Sequence, residues 1–446
     1  MQSALIESGS RTVAVLGAGP VGLAAAAHLL EQGLEPRVFE AGAGPGGTFR
    51  DVAHVRLFSP WRWNIDAAAQ RLLKACNWST PDPDGLPTGG ELVTRYLEPL
   101  AAVPALRGRI RYHSPVVAIA RDGLDKMKTP ERSARPFVLR VREGSGETRD
   151  YHASAVIDTT GTWKQPNPLG PNGLPAAGEA QLQGRIDYGM PDVLGRDRDD
   201  YANAGVLVVG AGHSAAGTLL ALVELAQEAP DTHIHWAVRG ATPERLLGSS
   251  SADDALPARG ALGEALRSQV AAGRVTLHTH FPIGALQQRN GRLRVVAAGS
   301  GPASSIDGID RIVAATGARP DLELVRELRV EADPMLESVP ALAALVDPNH
   351  HSCGTVPPHG HRELAHPEPG FYIAGAKSYG RAPTFLMATG YEQVRSIAAA
   401  LSGDTQRADV VELELPETGI CGVPSADRDG RGRKDATACC PTGVSR

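Results

Sequence analysis

The chain has 446 residues, 42% of them apolar, and a formal charge of −5. This suits two or three domains with sizeable cores and gives no electrostatic footprint for nucleic acid. No apolar run approaches the roughly 20 residues of a membrane span, residues 1–12 lack a signal-peptide pattern, and five cysteines without a repeating spacing point to a reducing, cytoplasmic compartment without metal or disulfide framework.

The first predicted element is a β-branched strand, Val13–Leu16, which runs into Gly17-Ala18-Gly19-Pro20-Val21-Gly22 and then an Ala/Leu-rich helix to about Glu31. Each glycine has a mechanical role. Gly17 permits the tight turn, Gly19 lets backbone approach a pyrophosphate, and Gly22 lets the helix pack on the sheet. The helix aims free N–H groups and its positive dipole end at that pyrophosphate. A second strand, Pro36–Phe39, ends in Glu40, about 20 residues after Gly19, where a carboxylate accepts a hydrogen bond from a ribose 2′-hydroxyl. Next come Ala41 and the paired Gly46-Gly47, followed by Thr48 and Phe49.

The segment Arg56–Asn64 follows closely enough to lie over a bound cofactor. It contributes Phe58, Ser59, Trp61 and Trp63, either as an anionic or planar substrate pocket or as core packing. Phe137–Val141 and Thr148–Ala153 read as an antiparallel hairpin. Ala155–Ile157 reads as a buried strand returning to Thr160-Gly161. A Pro/Gly-rich connection spans 166–200.

A second fingerprint then appears: Val206–Val209 enters Gly210-Ala211-Gly212-His213-Ser214-Ala215 and a helix to about Gln227. Its following strand, His233–Val238, ends in Arg239 instead of an acid. A guanidinium there pairs with a 2′-phosphate, which favours NADPH over NADH. Two such fingerprints imply two dinucleotides face to face, with hydride passing between them. Arg311–Ala315 returns to Thr316-Gly317, and Gly370–Gly375 is a late strand before a helix over about 383–401. Between them lies a His-rich loop, His350–His361 with Cys353, read as substrate-side chain with a possible base. Its Pro-Pro break argues against zinc. After Gly403 the chain reads as polar and irregular, and Cys421, Cys439 and Cys440 there offer either a soft-ion clasp or nothing.

The two glycine turns, Gly46-Gly47, Thr160-Gly161, Thr316-Gly317 and the Ala374-Gly375 strand together resemble the two-dinucleotide-binding-domain flavoproteins over residues 11–403. The resemblance implies FAD at the first site. It places Gly375, Ala376 and Lys377 along the ribityl chain, and the helix after Pro383, with Thr384, at the flavin ring. No Cys-x-x-Cys pair stands beside the flavin, so the disulfide reductases fit poorly. The Gly47-Thr48-Phe49 run is more similar to the flavin-containing (class B) monooxygenases, which reduce FAD with NADPH and activate O2. Their Phe-x-Gly-x-x-x-His signature is altered here to Leu182-Gln183-Gly184-Arg185-Ile186-Asp187-Tyr188, which puts efficient coupling in doubt. Residues 188–195, 377–384 and the Cys-bearing tail also resemble a flavoprotein of bacterial arsenic-resistance clusters.

The expected architecture is therefore α/β, with two Rossmann-like domains, the second inserted in the first. Residues 1–165 and 331–403 form the FAD domain, 166–330 the linker and NADPH domain, and 404–446 an irregular tail. The expected activity is an NADPH-dependent FAD oxidoreductase, a monooxygenase acting with O2 on a small heteroatom substrate. Ser59, Trp61, Lys377 and Arg381 are the catalytic candidates. The alternatives are a reductase with another acceptor, or a thiol-based metalloid binder.

Overall fold

The computed structural model describes residues 11–144, 146–243, 257–299, 304–348, 356–382 and 385–413. Among these residues, sixteen strands in four sheets carry the fold. The first sheet is parallel throughout, in the order β16-β7-β1-β2-β3. It comprises β1 (Thr12–Leu16), β2 (Glu35–Phe39), β3 (Ile110–Arg111), β7 (Ala155–Asp158) and β16 (Phe371–Ile373). The second, also parallel, has the order β11-β10-β9-β15-β8. It comprises β8 (Ile186–Tyr188), β9 (Gly205–Val209), β10 (His233–Ala237), β11 (Thr276–His278) and β15 (Arg311–Ala314). Because β16 rejoins the first sheet beside β7, with Phe371 opposite Val156, the second unit is inserted in the first.

Each parallel sheet carries a three-stranded antiparallel meander. β4 (Val116–Arg121), β5 (Phe137–Arg142) and β6 (Thr148–Ala153) extend the expected hairpin by one strand. β12 (Ile283–Arg289), β13 (Arg292–Ala297) and β14 (Ser305–Ile309) belong to the second unit.

Val13–Leu16 and Val206–Val209 are buried along their length, as parallel strands covered on both faces must be. The first helix, Pro20–Glu31, begins with proline in its first turn, where no amide hydrogen is needed, and its alanine run packs without large side chains. It lies against the late helix, Met387–Ser402, where Gly390 faces Val21.

The two chain crossings between the units lie side by side. Asn167 donates its backbone N–H to Gly317 O and Arg319 donates to Gln165 O, each at 2.9 Å. A buried Arg121–Glu368–Arg132 cluster, with N–O distances of 2.8 and 2.7 Å, ties the β4 meander to the chain entering β16.

Two expectations need correction. The late helix starts at Met387, not near 383. Beyond Gly403 the chain is regular at first: Thr405–Asp409 is helical, capped by Asp404, and Ala408 is buried against Ser396. Pro383, Thr384, His350, His351, Cys353, Cys421, Cys439 and Cys440 lie outside the described residues. Among the described residues, no helix is long and apolar enough to cross a membrane.

Candidate functional site

Both glycine turns sit at the carboxyl ends of their parallel sheets, where the topology of open α/β sheets leaves a crevice. They face one shared cleft of about 2800 Å³. Single-ligand sites span roughly 300–1,000 Å³, so this cleft has room for two dinucleotides.

On the first side, Gly17 has φ of +94°, which turns the chain off β1. A Cβ on Gly19 would meet nothing within 4 Å, whereas one on Gly22 would stand 2.0 Å from Gly17 O. Gly19 is thus open toward a ligand and Gly22 is closed against the turn, as the division of roles requires. Glu40 leaves β2 with both carboxylate oxygens used: Oε2 accepts from Ala18 N and Oε1 from Gly42 N, each at 2.7 Å. These contacts fix the carboxylate beside the turn while each oxygen keeps a lone pair. Gly46, at φ +70°, starts the short helix Gly47–Asp51 and donates to Ala18 O at 3.0 Å. The paired glycines are thereby stitched to the first turn.

On the second side, Gly210 has φ of +137° and a Cβ there would meet Ala315 O at 2.3 Å. Gly212 faces open space. Arg239 lies exposed at the cleft just past β10, with one Nη1–H donated to Pro171 O at 3.2 Å. His213 opens the helix His213–Glu228, and its ring meets Phe58 edge-on, with centroids 5.3 Å apart. That contact joins the two halves of the cleft.

Of the residues picked from sequence, Gly17, Gly19, Pro20, Glu40, Ala41, Gly47, Thr48, Thr160 and Gly161 line the first side. Gly210, Gly212, His213, Ser214, Arg239, Thr316 and Gly317 line the second, and Ser59 and Arg381 also reach the cleft. Val21 and Gly375 instead pack on each other, with Val21 3.4 Å from a Cβ on Gly375, and Gly22 packs on Gly17 and Thr159. Ala215 is wholly buried under its helix.

Two catalytic candidates are corrected. Trp61 is 3% exposed and packs against Gly85 and the Arg95 guanidinium, so it is core. Lys377 is fully buried: its Nζ donates to Asp158 Oδ2 at 2.7 Å and to Thr160 Oγ1 at 3.1 Å. A paired ammonium in the interior cannot serve as a free charge at a flavin, because its field is cancelled by Asp158.

Of the His-rich loop, His359 is buried and His361 pairs with Asp409 at 3.0 Å, so neither supplies a base to the cleft; Val356 alone of its described residues lines it, and His350, His351 and Cys353 lie outside the described residues.

Sequence reasoning missed Asp158, whose position at the end of an apolar strand already signals a buried acid in need of a cation. It also missed the clamp on Tyr188, whose hydroxyl donates to Glu179 Oε1 at 2.6 Å. Burial and Glu179 hold the Tyr188 phenol above its ordinary range. Its hydroxyl proton is committed to Glu179.

A profile of the NAD(P)-binding Rossmann-like domain family matches residues 15–76. No curated protein matches the chain in sequence. Among solved structures, the bacillithiol disulfide reductase of Bacillus cereus gives a TM-score of 0.65 at 18% identity, over 88% of this chain and 98% of its own. The FAD-bound cadaverine monooxygenase DfoA of Erwinia amylovora gives 0.62 at 14% identity, over 95% and 100%. The ornithine N-hydroxylase KtzI of Kutzneria, with reduced FAD, NADP+ and L-ornithine, gives 0.55 at 18% identity, over 88% and 97%. The fold is that of the two-dinucleotide-binding-domain flavoproteins. Reductases and monooxygenases share it, so the fold does not choose between the two chemistries.

Proposed function

We propose that the chain is an NADPH-dependent FAD oxidoreductase of the monooxygenase type, acting on a small heteroatom substrate. The observation that carries this reading is the single cleft onto which both glycine turns open. The unfilled space at Gly19 and Gly212 suits two pyrophosphates. FAD supplies the two-electron acceptor that takes hydride from NADPH and delivers electrons onward.

The chain's own residues do the positioning. Glu40 receives the ribose hydroxyls of FAD, and Arg239 grips the 2′-phosphate of NADPH. Thr160 lines the first cofactor's side with its hydroxyl held in place, donating to Asp158 Oδ1 at 2.7 Å and accepting from Lys377 Nζ at 3.1 Å. Phe58 and Ser59 shape the substrate side, and Arg381 offers a cation to an anionic group. The sequence has no Cys-x-x-Cys or Cys-x-x-x-x-Cys pair of the kind that forms a strained disulfide beside a flavin, which supports an acceptor other than such a disulfide. The resemblance of residues 188–195 and 377–384 makes an arsenic-containing nucleophile the first substrate to try.

The proton held on Tyr188, where the monooxygenase signature has histidine, favours a second reading: a reductase with a non-oxygen acceptor. One experiment separates the two. The purified protein should release FAD on denaturation and be bleached by NADPH without air. Oxygen consumed in step with oxygenated substrate supports the monooxygenase. Bleaching followed only by slow peroxide release, with fast turnover on a quinone or disulfide, supports the reductase. Stoichiometric NAD in place of FAD overturns both.

A further inference from the structure

The turn Gly375–Tyr379 follows β16 and supplies Ala376 and Tyr379 to the cleft wall, with Gly380 and Arg381 next to it. A closed set of buried side chains holds this turn from behind. Gly375, at φ +73°, donates its N–H to Gln393 Oε1 at 2.7 Å. Gln393 Nε2 has two hydrogens. One goes to Ser378 Oγ at 3.0 Å, and Ser378 in turn donates to Gly375 O at 2.8 Å. The other reaches His359 Nε2 at 2.7 Å. Gln393 and Ser378 are 0% exposed and His359 is 3% exposed.

The direction of every bond is forced. The Gln393 amide cannot flip, since its oxygen is the acceptor for Gly375 N–H. Its nitrogen therefore donates to His359, and His359 Nε2 must carry a lone pair. The imidazole hydrogen is then on Nδ1, directed at Pro357 O at 3.0 Å. The neutral Nδ1–H tautomer is the one form that satisfies both neighbours. A proton added at Nε2 would set one donor against another at 2.7 Å among buried side chains.

We propose that His359 is a positioning residue of the cofactor turn, that it holds Gly375 through Gln393, and that protonating it releases the turn. This rests on the reading that FAD lies against the Gly375–Arg381 wall. Burial depresses the basicity of His359, and the Pro357 carbonyl and the Glu363 and Glu392 carboxylates oppose that in part. The other titratable group packed on it is Tyr379, with ring centroids 5.7 Å apart. The sign follows from linkage. A histidine depressed in the folded state contributes its stabilisation above its ordinary value near 6.5, and that contribution is lost as pH falls.

The test measures FAD dissociation against pH for the wild type, His359→Gln and Gln393→Glu, with hydrogen exchange at the Gly375–Arg381 amides of the flavin-free protein. In the wild type, FAD should weaken by up to about tenfold per pH unit once His359 takes its proton, the limit for one linked proton. His359→Gln should lack that slope. Gln393→Glu should reverse it, because a carboxylate beside Nε2 stabilises the imidazolium and its benefit is lost as pH rises. Amide exchange should follow the same three profiles. An identical acid slope in all three proteins overturns the proposal. If Gln393→Glu does not fold, His359→Gln alone decides, and an unchanged slope there is equally fatal. A wild type that binds no FAD at neutral pH removes the functional reading instead, and the exchange profiles still judge His359.

Discussion

Gly19 and Gly22 offer a pair of substitutions that separate ligand space from packing space. A methyl on Gly22 would lie 2.0 Å from Gly17 O and 2.7 Å from Thr159 Oγ1, where real Cβ atoms stay beyond 3.0 Å. Thr159 cannot swing aside freely, since it donates to Leu16 O at 2.7 Å. The helix must therefore lift from the β1 turn by about 1 Å, the shortfall between those distances. Overpacking of this kind costs about 3 kcal/mol, at the upper end of its usual range. At roughly 2–4 °C per kcal/mol for a domain of this size, Gly22→Ala should lower Tm by about 6–12 °C without any ligand. Gly19→Ala should behave oppositely. Its φ of −76° suits alanine and its Cβ meets nothing, so the flavin-free protein should melt within about 2 °C of wild type. FAD affinity should nevertheless fall about ten- to a hundredfold, because the methyl occupies pyrophosphate space and removes about 1.5–3 kcal/mol of charge-assisted contact. Scanning fluorimetry on deflavinated protein and flavin titration read the two effects separately. If Gly19→Ala melts as early as Gly22→Ala, or binds FAD like wild type, the division of roles is wrong.

Other perturbations test other parts. Lys377→Met strands the Asp158 carboxylate in the interior and should cost about 3–5 kcal/mol, with adding Asp158→Asn recovering most of the lost Tm. Arg239→Ala should raise the KM for NADPH about ten- to a hundredfold and leave NADH nearly untouched; a wild type that prefers NADH refutes the assignment. Ending the chain after Leu413 should leave flavin content and Tm unchanged. Ending it after Gly403 should lower Tm by several degrees, because buried Arg395 then loses the Arg407 and Val410 carbonyls and Ser396 loses that of Ala408. Titrating As(III) against full-length and Leu413-terminated protein also tests Cys421, Cys439 and Cys440, and equal affinity assigns them no part in binding.

Much of the architecture was legible because its determinants are local. Gly17, Gly19 and Gly22 followed by Glu40 encode a strand, turn, helix and second strand within one short stretch, and the pattern recurs at Gly210. The paired Thr-Gly returns mark where strands end. What was not legible depends on contacts between distant segments. Nothing near Lys377 in sequence shows that Asp158 lies across the sheet to neutralise it. Trp61 and Phe58 are three residues apart, yet a bend at Phe58–Ser59 and the extended Pro60 before the helical turn Trp61–Asn64 send one into the core and the other to the cleft. The span 404–413 reads as polar chain, but Asp409 and the Ala408 carbonyl find partners on Arg362 and Ser396 that no local pattern announces.

The side-by-side crossings at Gln165–Asn167 and Gly317–Arg319 have a consequence for modularity. The chain enters and leaves the second sheet through positions hydrogen-bonded to each other, so that unit resembles a bead hung from one point of a closed loop. It carries its own cores, around Val206, Val208 and Trp236 on one face and Leu207, Ile283 and Ile312 on the other. With its ends already touching, it can be exchanged for another unit of the same plan without stretching the first sheet. Pro166 and Ala318 pair within that crossing, so a change there acts on the joint between the two sheets and lies outside either glycine turn, while the Phe58–His213 ring contact is a separate place where the halves meet.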